Sequence, residues 1–501
     1  MDAVLALDLG STQLKLMLMD RDGKVLGTVT ESYPTYAPQA GWLEQHPEDW
    51  VSALKKGMSQ LNALFPDTAI VSVGFSGHMS GAVLLDADGC VLHPCIMLSD
   101  SRSDSECALL NQQAGELIRE HTGNPVINAF TLPKLKWLQR YRPDAWNHTA
   151  VWISPKDYLR YQLTGTLMTE CTDAFNTIAV DARSASWCDD ILRAAGLERE
   201  KFPEMLSPDS VAGTVTREAA EMYSLPEGIP VAAGGADMAC GALGMGLFET
   251  GESALTLGTC ATFLANVPGI SGEGFGKVTF HLHALPGMYY ALGSHFNGGL
   301  AVNWLAKTLS SAETLDFGEI AVLSEAASRI PPGSNGLLTI PFLAGSGSPY
   351  FEASDRQTVL GLSAASTRGE IFRSELEGIT LNLDETRELF EQMIPGGLKR
   401  ILLGGGGTRI GVWPQMIADI FGSLVDSVLN SDASTIGAGI LGGIASGFYS
   451  DARETAEKCL AVDRRLTPDP AARDRYRALR SRYLEACALM RNWYNKHSGV
   501  E

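Results

Sequence analysis

Ala6-Leu7-Asp8-Leu9-Gly10-Ser11 returns 248 positions later as Ala254-Leu255-Thr256-Leu257-Gly258-Thr259. Each copy is a short apolar run that breaks into a glycine turn with hydroxyl neighbours. The chain then resumes an apolar run, Leu14 to Met19 in the first copy and Ala261 to Val267 in the second. Both therefore read as strand, tight turn, strand. Glycine has no Cβ, so backbone N–H groups can close on an anion from a strained turn. Two such turns predict a pair of grips for a polyphosphate.

A 501-residue chain gives a length prior of about three domains, but one motif repeated at this offset argues for two larger, similarly built units. The glycine-rich passage Leu243 to Gly251, just before the second hairpin, predicts domains of 1–245 and 246–501. With 45% apolar and 19% charged residues the chain can bury a large core and is not disordered. Its net charge of −19 repels long nucleic acids and anionic membranes, whereas a single nucleotide carrying magnesium remains acceptable. The basic run Arg473, Arg475, Arg477, Arg480 and Arg482 has the spacing of a solvated face on a C-terminal helix, Pro470 to His497. Nine cysteines without a C-x-x-C pair indicate neither a disulfide framework nor a zinc site. No secretory signal and no apolar stretch near the ~18 residues of a membrane span is visible, so a cytoplasmic protein is expected.

The remaining pattern predicts a third strand at Lys24 to Ser32, then a helix over Pro47 to Leu64 with Trp50, Leu54, Met58 and Leu61 on one face. Strands follow at Ile70 to Phe75, Ala82 to Asp86 and Trp152 to Ser154, with mostly helical residues between 100 and 145 and over 155–163. The second half repeats this loosely: strands at Ser253 to Leu257, Thr262 to Val267, His281 to Leu285, Tyr289 to Gly293 and Arg400 to Leu403, and a small-residue helix over Thr435 to Ala445.

Several residues carry candidate chemistry. Asp8 stands at a strand end beside Gly10, Ser11, Thr12, Gln13 and Lys15, which suits a magnesium–water site next to a phosphate chain. An aspartate satisfying its own turn is the plainer alternative. No G-x-x-x-x-G-K-[ST] run exists, which removes the P-loop class. Gly404-Gly405-Gly406-Gly407-Thr408-Arg409 follows a strand and lets a flat ring or ribose approach the backbone, although packing alone also selects such turns. Asp237, in Gly234-Gly235-Ala236-Asp237-Met238, reads either as a helix N-cap or as a base accepting a proton from a hydroxyl, and local sequence favours the cap.

Taken together, these residues resemble the FGGY family of carbohydrate kinases, members of the actin-like ATPase superfamily. The resemblance runs through Asp8-Leu9-Gly10-Ser11-Thr12, Gly41-Trp42-Leu43-Glu44-Gln45-His46-Pro47, Ser154-Pro155-Lys156-Asp157-Tyr158-Leu159, Gly234 to Asp237, Leu257-Gly258-Thr259 and Gly404 to Gly407. Lys134-Leu135-Lys136-Trp137 is similar to the first family signature, and Gly361-Leu362, Glu370-Ile371 and Leu376-Glu377 to the second. The resemblance implies an α/β fold of two ribonuclease-H-like domains with a central interdomain cleft. It implies transfer of the γ-phosphate of ATP, with Mg2+, to a sugar or polyol hydroxyl, accompanied by hinge motion that excludes water. Asp237 becomes the general base, and Asp8 and Asp237 the metal-facing carboxylates. Gly10, Ser11, Thr12, Gln13, Lys15, Gly258 and Thr259 become phosphate contacts, and Gly405, Gly406 and Arg409 border the adenosine.

Within the family, Ser76-Gly77-His78-Met79-Ser80-Gly81 is most similar to the S-G-Q-M-H-G sugar turn of the xylulokinase group, and Leu98-Ser99-Asp100-Ser101-Arg102 stands for its W-N-D-x-R. Met238 and Ser346 also replace polar residues usual there. The implied sugar contacts are His78, Met79, Ser80, Asp100, Arg102, Asp237 and Met238, and the implied acceptor is a pentulose such as D-xylulose. His78 and Met79 as core packing, and Asp100 with Arg102 as a surface pair, are the plainer readings of the same residues. Other functions weighed are a kinase for another ketose or polyol, a non-catalytic ATP- and sugar-binding regulator and, ranked last, a dinucleotide oxidoreductase using Gly404 to Gly407. The partners expected are the sugar and ATP, with no nucleic acid and no membrane; the assembly allowed for is a homodimer.

Overall fold

Seven of the eight residues of Asp2–Leu9 are buried, the continuous apolar pattern of a strand covered on both faces. In the computed structural model, which describes residues 1–310, 317–429 and 432–497, this strand lies inside a mixed sheet. Gln13–Met19 pairs with it antiparallel through the hairpin, and Val25–Ser32 continues antiparallel beyond. On its other side Ala69–Gly77 runs parallel, followed by Pro230–Ala232 and an antiparallel edge strand, Val211–Thr214.

The second sheet is built on the same plan. Glu252–Leu257 pairs antiparallel with Ala261–Val267, whose outer neighbour is Tyr289–His295. Arg400–Gly404 and Val425–Val428 add in parallel, and Val462–Leu466 closes antiparallel. Each hairpin thus sits at the centre of its sheet, where its turn is carried by rigid neighbours.

The chain divides into two compact units that are not continuous in sequence. One contains Met1–Phe248, Phe280–Tyr289 and Asp432–Leu460; the other holds the described residues of Glu249–Thr279, Tyr290–Ser431 and Ala461–Glu501. In the first unit the helix Pro47–Leu64 starts on proline with Glu48 and Asp49 in its first turn, which suits the positive end of its dipole. Its Trp50, Leu54, Met58 and Leu61 are all buried, and Gly57 lets it close on Leu16. The helix Ala433–Ala445 packs in this unit too, against Ala69–Gly77, Asp2–Leu9 and the helix Asp237–Gly244. The strand expected at His281 to Leu285 is observed as Thr279–Leu282. Beyond it, the His283 N–H donates to Met288 O and closes a turn. Among the described residues no helix is long and apolar enough to cross a membrane.

Candidate active site

The first glycine turn is held from behind by its own carbonyls. The Tyr33 hydroxyl donates to Gly10 O, Gln45 Nε2 to Ser11 O at 2.7 Å, and the Tyr33 N–H to Thr12 O at 3.4 Å. Gln45 is fully buried, also donates to Thr35 Oγ1 at 2.8 Å, and accepts from Trp50 Nε1 at 3.0 Å. With the carbonyls turned inward, Ser11 and Thr12 are left exposed at the tip. Sequence reading assigned the turn but missed Tyr33 and Gln45, whose polar ends gave no sign of being buried.

Asp8 does not satisfy its own turn. Its Oδ2 accepts from Ser434 Oγ at 2.6 Å and Thr435 Oγ1 at 3.1 Å, while Oδ1 is buried without a hydrogen-bond partner. Lys15, expected on a phosphate, lies with Nζ 2.5 Å from Asp432 Oδ1. No group of three or more metal-ligating side chains occurs among the described residues. A magnesium ion is ordinarily held by one or two carboxylates together with substrate phosphates and water. A buried carboxylate with one oxygen unclaimed fits that requirement, so Asp8 suits such an ion.

Asp237 opens the helix Asp237–Gly244 but caps nothing beyond the next residue: Oδ1 accepts from the Met238 N–H at 2.7 Å. The N-cap expected from local sequence is therefore not what the carboxylate does. Burial pushes its carboxyl up to about 7, and the Asp8 carboxylate adds to the effect. Below it, the Ala236 N–H donates to Thr172 Oγ1 at 2.8 Å, and Thr172 donates to the buried Glu170 carboxylate. Glu170 lies 3.3 Å from Lys156 Nζ, which also meets Asp157 at 2.7 Å and Asp173 at 3.2 Å. This buried network, absent from the sequence reading as a functional element, fixes the backbone that presents Asp237.

His78 and Met79 are buried at the end of Ala69–Gly77, and the His78 ring stands edge-on to Trp50 with centroids 5.8 Å apart. Neither ring nitrogen of His78 has a partner, and burial lowers its pKa to about 4, so it is a neutral imidazole. Ser80 holds a left-handed φ of 66°, with its hydroxyl buried and unpartnered. Asp100 and Arg102 are not the surface pair of the plainer reading. Both are buried; Arg102 binds Asp100 through Nε and, at 2.7 Å, through a terminal nitrogen, reaches Glu44 at 2.6 Å and stacks 3.9 Å over Trp42. Asp100 also accepts from the Leu43 N–H at 2.5 Å. Their polar atoms are thus largely spent on one another. Met238 is half-buried beside Asp237.

In the second unit Gly258 and Thr259 line a cavity of about 590 Å³, within the usual range for a ligand pocket. Gly406 and Arg409 also line it; Gly299, Val302, Asn303, Ile320, Ser324 and Trp413, which sequence reading did not single out, complete much of the wall. Gly405 lines an adjoining cavity instead, together with Gly406, Thr408 and Arg409. Its φ is +90°, and a Cβ there would fall 2.7 Å from Leu257 O, so glycine is required. The second turn is held by backbone amides: Gly299 donates to Gly258 O at 2.8 Å and Leu300 to Thr259 O at 2.9 Å.

Residues 3–244 match the N-terminal domain of the FGGY family of carbohydrate kinases, and residues 253–446 match its C-terminal domain. The chain belongs to the FGGY family of carbohydrate kinases. As a member, it is an ATP-dependent carbohydrate kinase of two α/β domains. Among its FGGY relatives, a xylulose kinase of Bacillus subtilis is 31% identical over 96% of this chain and 95% of its own length. A gluconokinase of the same organism is 26% identical over 98% and 97%. The crystal structure of xylulose kinase from Rhodospirillum rubrum superposes with a TM-score of 0.91 at 27% identity, covering 98% of this chain and all of that one.

Proposed function

We propose that this kinase phosphorylates a ketopentose such as D-xylulose, with Asp237 as general base. The observation that carries the assignment of the base is the Asp237–Asp8 pair: two carboxylates that interact electrostatically, one raised to about 7 and the other with an oxygen unclaimed. A base whose pKa lies near neutrality combines availability with proton affinity. The acceptor hydroxyl gives its proton to Asp237, the freed oxygen attacks the γ-phosphorus, and ADP departs. Magnesium bound at the phosphates supplies neutralisation of their charge, and Asp8, with Asp237 beside it, is the residue that would hold it. The turn at Gly10 to Gln13 and the turn at Gly258-Thr259 take phosphates, and the second unit's cavity takes the adenosine.

Two features support a neutral ketose over an aldonate. The sugar candidates offer a neutral imidazole at His78 and an unpartnered hydroxyl at Ser80, and the cation at Arg102 is already satisfied by Asp100 and Glu44. The xylulose kinases among the relatives point the same way. Residues 1–245 are proposed to take the acceptor and 246–501 the nucleotide, with 432–435 serving the former. The proposal includes cytoplasmic residence and a homodimer, which cell fractionation and sedimentation equilibrium test. The deciding experiment measures ADP release over a panel of ketoses, polyols and aldonates. D-xylulose is expected to give the highest kcat/KM. A higher value for gluconate overturns the acceptor, and no acceptor-stimulated release at all overturns the kinase in favour of a regulator.

A further inference from the structure

Residues 432–435 reach Asp8 from the far end of the chain. Ser434 and Thr435 both donate to the same oxygen, Oδ2, while the side chain is only 6% exposed and Oδ1 has no hydrogen-bond partner. Across the hairpin Asp8 is paired with Lys15, and opposed residues of an antiparallel pair project from the same face. Lys15 therefore stands on the same face of the hairpin as Asp8. Asp432 binds Lys15, at 2.5 Å.

The helix that begins here cannot slide. A Cβ on Gly437 would fall 2.0 Å from Cys240 O, and one on Gly74 would fall 1.9 Å from Ala438 O, so helix, strand and the Asp237 helix touch backbone to backbone. The two hydroxyls are consequently held at a fixed place relative to Asp8.

We propose that Ser434 and Thr435 are positioning residues for phosphoryl transfer, and that Asp432 holds Lys15 away from the carboxylate they position. Two neutral donors on one oxygen fix the rotation of the carboxylate without cancelling its charge. Only Oδ1 is then left to face the metal, and the diversion of Lys15 to Asp432 leaves that oxygen without an ammonium competing for it. This inference rests on the reading of Asp8 as the metal-facing carboxylate. Asp432 immediately precedes the helix Ala433–Ala445 but makes no side-chain capping bond.

The test is Mn2+ binding by electron paramagnetic resonance, with ADP present, alongside kcat, KM and thermal melting. For Ser434→Ala/Thr435→Val the expected result is an affinity for Mn2+ and a kcat lowered by about 10- to 100-fold, as for other groups that orient a metal ligand. The KM for sugar should stay near the wild-type value, and Thr435→Ser should behave as wild type. Should the double variant not fold, Thr435→Val alone, which keeps the side-chain volume, is read by the same criterion. Asp432→Asn should also weaken Mn2+ binding, and adding Lys15→Met should restore it. Unchanged Mn2+ affinity and kcat in a folded hydroxyl-free variant overturns the positioning role; an unrescued Asp432→Asn overturns the diversion of Lys15. Wild-type Mn2+ affinity in Asp8→Asn would instead sink the reading of Asp8 itself.

Discussion

The two glycine turns occupy the same place in sheets of the same topology, but they differ in three respects. In the first, side chains from Tyr33 and Gln45 help the Tyr33 N–H hold the turn carbonyls; in the second, the amides of Gly299 and Leu300 do so. The first turn is one residue longer, because Leu9 faces Leu14 across the hairpin whereas Leu257 faces Ala261. Two residues before the glycine the first copy has the buried Asp8, and the second has the exposed Thr256. Both copies turn carbonyls inward, so on the proposed reading phosphate binding belongs to the shared fold. On the same reading only one copy carries reaction chemistry, in a carboxylate and the distant residues that hold it.

That asymmetry is open to attack. Asp8→Asn should lower turnover by roughly 100-fold or more, since charge stabilisation by a correctly held metal is worth several kcal/mol. Thr256→Ala should leave it close to wild type, and steady-state assays showing similar losses in both would erase the distinction. A pH profile sharpens the role of Asp237. A carboxyl raised to about 7 is protonated, and useless as a base, on the acid side. The kcat/KM for the sugar should therefore fall about tenfold per pH unit below that value and level off above it. Gly405→Ala forces a side chain into a left-handed backbone and against Leu257. Calorimetry should show a loss of ~1–3 kcal/mol. Gly10→Ala, with no positive φ and its nearest contact at 3.1 Å, should cost less. The smallest effect belongs to Gln45→Leu, which frees Ser11 O and leaves the Trp50 N–H unpaired. It should raise the KM for ATP by at most about tenfold, the factor that 1.4 kcal/mol allows.

Much of this was legible in the chain. The hairpins, their glycine turns and the helices Pro47–Leu64 and Pro470–His497 follow from short-range signals, namely apolar period, a starting proline and glycine punctuation. Asp8 and Asp237 could be singled out for the same reason: each stands where a strand or strand-like run ends. What could not be read is who satisfies whom. Asp100 and Arg102 looked available, but Glu44, 58 residues from Arg102, joins them in a buried cluster. Gln45 sits in a polar stretch with nothing to mark it as buried. Ser434 lies 426 residues from the carboxylate it holds, and only tertiary packing through Gly74, Gly437 and Cys240 brings it there. Local pattern specifies elements, whereas hydrogen-bond partners across such separations are set by the packed fold.

The most direct test of the central claim, that the first unit performs the chemistry while nucleotide binding is a separate property, is Asp237→Asn measured for both turnover and equilibrium ATP binding. The account predicts turnover reduced by about 10²- to 10⁴-fold, the usual worth of a general base, with ATP affinity nearly unchanged. Turnover within a few-fold of wild type in the folded variant, or an equal loss of ATP binding, would contradict it.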